Sequence, residues 1–212
     1  MYCYYSDRRN VVVNAVNAIV GLLLAAGRGH RFGSDKLMHC LPDGRPLVVA
    51  SAQRLAATTD HTIALIRPQH EAMHAALLTL GIEIIEVADA DAGIGHTLAA
   101  GVRATPQFAG WLVALGDMPC VDHDTMRQVV QALRAGATIA APFHNGHRGH
   151  PVGFAHPWYD ALQGLEGDEG ARHVLRTHSA VITRIEVNDP GCLFDVDTPH
   201  DLAATKALLD QT

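Results

Sequence analysis

Short apolar runs alternate along this sequence with longer segments in which apolar residues recur at helical spacing. This alternation is typical of a parallel sheet covered by helices on both faces. We therefore predict an α/β chain, with three αβα layers and a mostly parallel central sheet. The predicted strands are 18–24, 62–66, 82–87, 111–115, 138–141 and 181–187, and the predicted helices are 46–57, 69–80, 97–104, 122–135 and 199–209.

The chain has 212 residues, which suits one domain with a sizeable core, and we assign that domain to 18–212. Residues 1–17 form an N-terminal extension of uncertain order, in which asparagines interrupt an apolar run that is too short to span a membrane. A net charge of -6 argues against a nucleic-acid partner. Four cysteines without CxxC spacing favour a reducing, cytoplasmic setting.

A glycine-rich loop, LAAGRGHRFGSDK, follows the first predicted strand at 24–36. Its glycines allow a tight turn that points backbone N–H groups at a polyanion, and Arg31 and Lys36 add positive charge for phosphate oxygens. The glycines are spaced GxGxxxG, and no GK[ST] follows, so neither a dinucleotide-binding turn nor a Walker loop fits. The alternative is an ordinary turn whose basic side chains face solvent, but two cations in one loop favour a triphosphate ligand.

Aspartates occur at two places where a sheet edge is expected. Asp117 directly follows the predicted strand 111–115, and the carboxyl ends of parallel strands are where α/β proteins gather ligands. Asp195 and Asp197 precede the last helix and would share one side of an extended segment, although only one need bind a cation. Asp201 better suits the first turn of that helix. Asp117 could instead cap a local turn, but the glycine-rich loop favours a Mg²⁺ site.

Two further segments allow more than one interpretation. A helix entered through glycines, with Gly95 and Thr97 near its start, could offer free N–H groups to a nucleotide. The stretch GDEGAR at 167–172 could shape a substrate pocket, or Asp168 could cap a helix in which Arg172 is its i,i+4 partner.

Histidines repeat in HNGHRGH at 144–150, which raises the possibility of zinc. The glycines between them indicate a loop, and no nearby cysteine or acidic residue completes a tetrahedral set, so we do not assign zinc there.

Five sequence motifs follow one another along the chain: LAAGRGHRFGSDK at 24–36, LGDMP at 115–119, GHRGHPVGF at 146–154, GDEGAR at 167–172 and DVDTPHDL at 195–202. Together they resemble the signature of the MobA-like nucleotidyltransferases, and among these most closely the molybdenum cofactor cytidylyltransferases. The resemblance extends from residue 18 to residue 209. It implies a Rossmann-like, GT-A-like nucleotidyltransferase fold.

The same resemblance implies roles for individual residues. Arg31 would contact the triphosphate, Lys36 would stabilise the attacked α-phosphate, and Asp117 would complete the catalytic set. Asp117 and Asp197 would hold Mg²⁺. Nucleotide contacts are implied for Leu24, Ala25, Ala26, Gly27, Arg28, Gly29, Arg31, Lys36, Gly95, Thr97 and Gly116, and acceptor contacts for Arg148, His150, Gly153, Asp168 and Arg172.

The implied reaction transfers CMP from CTP to molybdenum-bound molybdopterin and releases pyrophosphate. Ala26 favours CTP over GTP, because the guanylyl-transferring branch usually has glycine there. The alternatives are a guanylyltransferase, a sugar- or alditol-phosphate nucleotidyltransferase, a non-catalytic nucleotide-binding chaperone that serves a molybdoenzyme, and, more distantly, an NAD-dependent oxidoreductase. His96 and the GRGH stretch depart from the family pattern, which usually has serines at these places.

Overall fold

The computed structural model describes residues 17–27 and 35–209. The predicted N-terminal extension lies outside the described residues except for Asn17. The strands are β1 (Ile19–Leu24), β2 (His61–Ile66), β3 (Glu83–Glu86), β4 (Gly110–Leu115), β5 (Ile139–His144), β6 (His147–Arg148), β7 (Val152–Ala155) and β8 (Ile182–Glu186). The α-helices are α1 (Leu47–Ala56), α2 (Glu71–Leu78), α3 (Ile94–Ala104), α4 (His123–Arg134), α5 (Tyr159–Gln163), α6 (Arg172–Thr177) and α7 (Pro199–Leu209).

All eight of these strands form one sheet. Its order is β3-β2-β1-β4-β7-β5-β6, and β8 pairs with β5 as well. β1 runs parallel to β2 and β4, while β7 is antiparallel to β4 and β5. The predicted α/β fold with a mostly parallel sheet is therefore confirmed.

Side chains alternate across β1 and supply both cores. Val20 and Leu22 belong to the core that includes Leu98 of α3, whereas Leu23 belongs to the core that includes Val48 of α1. α5 and α6 contribute to the first core, and α2 and α4 contribute to the second. Full burial of one such aliphatic side chain stabilises the fold by roughly 1.5–3 kcal/mol. Helices on both faces thus give the predicted three layers.

Several helix boundaries follow their sequence signals. Asp122 caps α4, since its side chain accepts a hydrogen bond of 2.9 Å from the N–H of Asp124. Gly136 adopts φ 100° after α4 ends, a conformation that favours glycine. Thr198 and Asp201 cap α7 reciprocally, because the Thr198 N–H donates to Asp201 at 2.7 Å and the Asp201 N–H donates to Thr198 at 3.2 Å. Asp201 therefore serves the helix start, as expected.

The histidine stretch at 144–150, which we predicted to be a loop, contains a β-hairpin and is followed by the strand β7. Asn145 and Gly146 have φ values of 50° and 79° and connect β5 to β6 in a two-residue turn. The Asn-Gly dipeptide is itself a signal for that turn. α3 begins at Ile94, three positions earlier than predicted, and the short helices α5 and α6 were not predicted. Among the described residues, every helix is too short or too polar to cross a membrane.

Candidate active site

A cavity of about 600 Å³ opens at the carboxyl ends of β1 and β4. This volume is within the range of small-molecule sites. Its walls come from the segment after β1, from the first turn of α3 and from residues that follow the neighbouring strands. They include Leu24, Ala26, Gly27, Lys36, Thr97, Asp117 and Asp168. The sheet edge predicted to bind ligands therefore does carry the cavity.

The segment after β1 is held by backbone hydrogen bonds. The Ala25 N–H donates to the Leu65 carbonyl at 2.9 Å, and the Gly116 N–H donates to the Leu24 carbonyl at 3.0 Å. The Gly116 carbonyl accepts a bond of 3.1 Å from the Ser51 hydroxyl. Ala25 is buried in the second core. A Cβ added to Gly116 would lie 3.3 Å from the Cβ of Ala25. The Ala25 N–H and both backbone groups of Gly116 are therefore already bonded within the protein, and the nucleotide contacts implied for these two residues stay predictions.

Leu24, Ala26 and Gly27 do line the cavity, in agreement with their implied position. Arg28, Gly29 and Arg31 lie outside the described residues, so their implied contacts with the triphosphate stay predictions.

Lys36 lies between two carboxylates. Its Nζ is 2.9 Å from an oxygen of Asp117 and 2.9 Å from an oxygen of Asp197. Burial by itself lowers the pKa of Lys36, but the charges and hydrogen bonds of the two aspartates outweigh it, so the pKa is raised above the usual value. Lys36 is therefore a fixed cation at the cavity wall.

Asp117 and Asp197 are brought together by a backbone hydrogen bond. The Val196 N–H donates to the Asp117 carbonyl at 3.0 Å, which places the next residue, Asp197, beside the end of β4. Val196 is fully buried in a small core with Leu41 and Leu47. A hydrophobic contact thus fixes a carboxylate that comes from the far end of the chain.

These two carboxylates suit a Mg²⁺ ion by their chemistry. Both approach one ammonium position, and Mg²⁺ is usually held by one or two carboxylates together with substrate phosphates and water. In residues 17–27 and 35–209, no group of three or more histidines, cysteines or acidic residues is placed to hold a metal by itself. Asp195 lies nearby, and burial followed by the charges of Asp197 and Asp117 raises its pKa. The site is therefore suited to a metal that a phosphate ligand helps to hold.

Arg148, His150 and Arg172 lie close enough for their charges to interact, and His150 also feels the charge of Asp117, although none of the three lines the cavity. Burial, followed by the charge of Arg172, lowers the pKa of Arg148. Burial, followed by the charge of Arg148, lowers the pKa of His150 to about 4, so this imidazole is neutral at pH 7. Within the described part of the chain, neither arginine forms an ion pair and the buried Nδ1 of His150 has no hydrogen-bond partner. Two neighbouring cations without a carboxylate are suited to an anionic ligand.

The packing of a helix on the sheet explains the glycine at position 153. It lies inside β7, and a Cβ added to it would be 2.8 Å from Leu133 and 2.9 Å from Val129, both in α4. Close packing of α4 on the sheet therefore requires glycine here, and the acceptor contact implied for Gly153 stays a prediction.

The start of α3 also differs from its prediction. The Gly95 N–H donates to the Gly167 carbonyl at 2.8 Å, so it is not free to bind a nucleotide. Thr97 lines the cavity but lies one turn inside the helix and is almost fully buried. Asp168 lines the cavity, and α6 begins only at Arg172, so the alternative in which Asp168 caps a helix is wrong.

Sequence reasoning missed Arg67 and Asp91. They form an ion pair on the cavity wall, and the buried Nε of Arg67 has no partner among the described residues. Arg67 directly follows β2, so the rule about sheet edges that identified Asp117 applies to it equally.

A mostly parallel sheet, a cavity at its carboxyl edge and a lysine between two carboxylates define an α/β protein that binds a phosphorylated nucleotide. The sequence profile of the MobA-like NTP transferase domain matches residues 21–181, well over half of the chain. The chain therefore belongs to the MobA-like NTP transferase family, as its motifs indicated.

Three relatives illustrate the range of this family's neighbours. The purine catabolism protein PucB of Bacillus subtilis is 28% identical over 86% of this chain and 93% of its own length. Nicotine blue oxidoreductase of Paenarthrobacter nicotinovorans is 28% identical over 87% of this chain and 94% of its own length. The crystal structure of Rv0371c from Mycobacterium tuberculosis is 26% identical, with a TM-score of 0.79, and covers 92% of this chain and 98% of that chain. Rv0371c has also been solved in complex with manganese, where the TM-score is 0.73.

Proposed function

We propose that this nucleotidyltransferase transfers CMP from CTP to the terminal phosphate of a molybdopterin-type acceptor and releases pyrophosphate, with Mg²⁺ as cofactor. The observation that carries the proposal is the position of Lys36 between Asp117 and Asp197 at the cavity wall. The manganese complex of Rv0371c supports a divalent cation. Mg²⁺, held by the two aspartates, would supply positive charge to the phosphates of CTP.

The strand order supports one direction for the nucleotide. Lys36 and Asp117 lie at the β4 side of β1, whereas Arg67 and Asp91 lie at the β2 side. With a reacting α-phosphate beside Lys36, we infer that the nucleoside extends past Ala26 towards β2. Ala26, which favours CTP by family resemblance, lines this part of the cavity.

The residues of this chain then act by alignment and charge. Arg148 and Arg172 bind the acceptor phosphate, which is already anionic and needs no strong base. One of its oxygens attacks the α-phosphorus, the bond from that phosphorus to the bridging oxygen of the β-phosphate breaks, and pyrophosphate leaves with the bonding electrons. Lys36 stabilises the charge on the α-phosphate as this exchange proceeds.

Pyrophosphate release tests the proposal directly. The purified protein is incubated with Mg²⁺, molybdenum-bound molybdopterin and either CTP or GTP. We expect pyrophosphate release with CTP, and Asp117→Asn should abolish that release although the variant still folds and unfolds cooperatively. Release with GTP alone would replace the cytidylyl assignment by a guanylyl one. Pyrophosphate release only with a sugar or alditol phosphate would replace molybdopterin as the proposed acceptor.

An oxidoreductase is the second candidate, because a relative of 28% identity carries that name. Stabilisation by a nicotinamide cofactor in a thermal-shift assay, without stabilisation by CTP, would favour it. The site supports transfer instead, since Lys36, Asp117 and Asp197 together suit a triphosphate. The same triad argues against a non-catalytic chaperone module. We expect the cytoplasm as the setting, with a molybdoenzyme or its chaperone as recipient of the product.

A further inference from the structure

The loop between α5 and α6, residues 164–171, is attached to the start of α3 through Gly167. The Gly95 N–H donates to the Gly167 carbonyl at 2.8 Å, and the Gly167 N–H donates to Nδ1 of His96 at 3.1 Å. Both backbone groups of Gly167 are therefore held by consecutive residues of one helix. We refer to this pair of hydrogen bonds as the α3 joint.

The two segments of the joint fit closely because glycines face each other. A Cβ added to Gly93 would lie 2.3 Å from the Gly167 carbonyl carbon and 2.6 Å from a carboxylate oxygen of Asp168. A Cβ added to Gly95 would lie 2.6 Å from the Glu166 carbonyl oxygen. No side chain fits at either position without backbone movement, so the two segments of the joint are in close backbone contact.

The joint connects two walls of the cavity. On one side, Gly93, Ile94 and Thr97 of the α3 start line it. On the other side, Asp168 lines it and directly follows Gly167 in the chain. The loop then leads to Arg172, whose charge acts on Arg148. The positions of Asp168 at the cavity wall and of Arg172 after it therefore depend on where Gly167 is held.

His96 provides the side-chain part of the joint. An imidazole nitrogen that accepts an N–H must carry no proton, so the hydrogen bond requires the neutral ring with its proton on Nε2. The preceding end of α5 is anchored separately, since the Arg103 guanidinium donates to the Gln163 carbonyl at 2.7 Å. Loss of the His96 bond would therefore release the loop while α5 stays attached to α3.

We propose that His96 is a positioning residue that holds the α5–α6 loop against α3 and thereby sets the affinity for the acceptor. This proposal rests on the proposed function for the identity of the acceptor, whereas the joint itself does not. His96 contributes no group to the reacting atoms. Its effect is transmitted through Gly167 to Asp168 and Arg172.

Amide hydrogen exchange on the free protein tests the joint without any substrate. In His96→Ala, the Gly167 amide and the amides up to Arg172 should exchange roughly fivefold to tenfold faster, which corresponds to one lost hydrogen bond. His96→Asn should restore slow exchange, because its side-chain oxygen can accept the same N–H. His74→Ala, which removes a half-buried histidine from α2, is the matched control and should leave these amides unchanged.

Steady-state kinetics then test the consequence for function. His96→Ala should raise KM for molybdenum-bound molybdopterin by a similar factor, roughly fivefold to tenfold, while KM for CTP stays unchanged. A purely structural role would instead lower thermal stability and affect both substrates equally, and that result would overturn the proposal. Failure of His96→Asn to restore the acceptor KM would also overturn it.

A measurement on the wild-type protein guards against variants that fail to fold. Nitrogen NMR of His96 should report an unprotonated Nδ1 and a protonated Nε2 at pH 7.5. A proton on Nδ1 would exclude the hydrogen bond and refute the joint. If the wild-type protein releases no pyrophosphate with any acceptor, the proposed function fails. The hydrogen-exchange and NMR results would still show whether His96 holds the loop through Gly167.

Discussion

Replacing Lys36 with methionine should change stability, metal affinity and catalysis together. At 2.9 Å, each carboxylate attracts the ammonium by roughly 6 kcal/mol at an effective dielectric constant of about 20, before desolvation is counted. The Lys36 side chain is 11% exposed, but those of Asp117 and Asp197 are 24% and 40% exposed, so water screens much of this attraction. We expect a net loss of about 1–3 kcal/mol in the free energy of unfolding, measured by urea denaturation.

The same substitution should strengthen metal binding in the absence of nucleotide. Lys36 neutralises the two proposed metal ligands, so its removal leaves a pair of carboxylates without their cation. Mn²⁺ affinity, measured by titration with electron paramagnetic resonance, should rise on the order of tenfold or more. The transfer rate should fall by roughly 10²–10³-fold, because the Lys36 ammonium no longer stabilises the negative charge on the α-phosphate.

Lys206→Met is the matched control, since it makes the same change of charge on the exposed surface of α7. It should alter neither Mn²⁺ affinity nor turnover. Unchanged Mn²⁺ affinity in Lys36→Met would refute the argument that this lysine neutralises the two proposed metal ligands. Undiminished transfer in the same variant would refute its catalytic role.

Other expectations concern packing, pH and thiol reactivity. Gly153→Ala should lower the free energy of unfolding by about 1–3 kcal/mol, because the added methyl group overpacks against α4. We expect no selective change in KM for the acceptor. A selective rise in that KM would instead support the acceptor contact implied for Gly153. Because the pKa of His150 is about 4 in the folded protein and about 6.5 when unfolded, the unfolded state takes up its proton first as pH falls. Stability should therefore drop between pH 6.5 and pH 4 by up to about 3 kcal/mol, and His150→Gln should remove that part of the pH dependence in urea denaturation. Among the described cysteines, Cys40 is exposed, while burial raises the pKa of Cys120 to about 11 and that of Cys192 to about 12. A thiol reagent at pH 8 should therefore modify Cys40 first. Mass spectrometry of the labelled peptides would check this order.

The layers of the fold were predictable because their signals are local. Strands such as β1 and β4 are continuous apolar runs, and α4 carries both an N-cap and a C-terminal glycine. α5 and α6 have five and six residues, which is too few for a helical period to be recognised. The β5–β6 hairpin carried a usable signal in Asn-Gly that the loop interpretation passed over.

Residues of the site could be predicted from the sequence where their position at the end of a strand places them at the cavity. Asp117 lies at the cavity because it closely follows the carboxyl end of the parallel strand β4, and the same reasoning would have found Arg67 after β2. The surroundings of Gly95, Gly116 and Gly153 could not be predicted in this way. Whether a backbone N–H is free, or whether a glycine faces a ligand or a helix, depends on a tertiary partner that no local pattern specifies.

The reacting centre is assembled from segments that are far apart in the chain. Lys36 is 81 residues from Asp117 and 161 residues from Asp197. The sheet brings the first two together, but Asp197 reaches them only because Val196 is buried in its small core and donates to the Asp117 carbonyl. A carboxylate near the end of the chain thus completes a site that begins in the loop after the first strand. The electrostatic balance around Lys36 therefore exists only when the last segment has docked, which makes it a property of the whole folded domain.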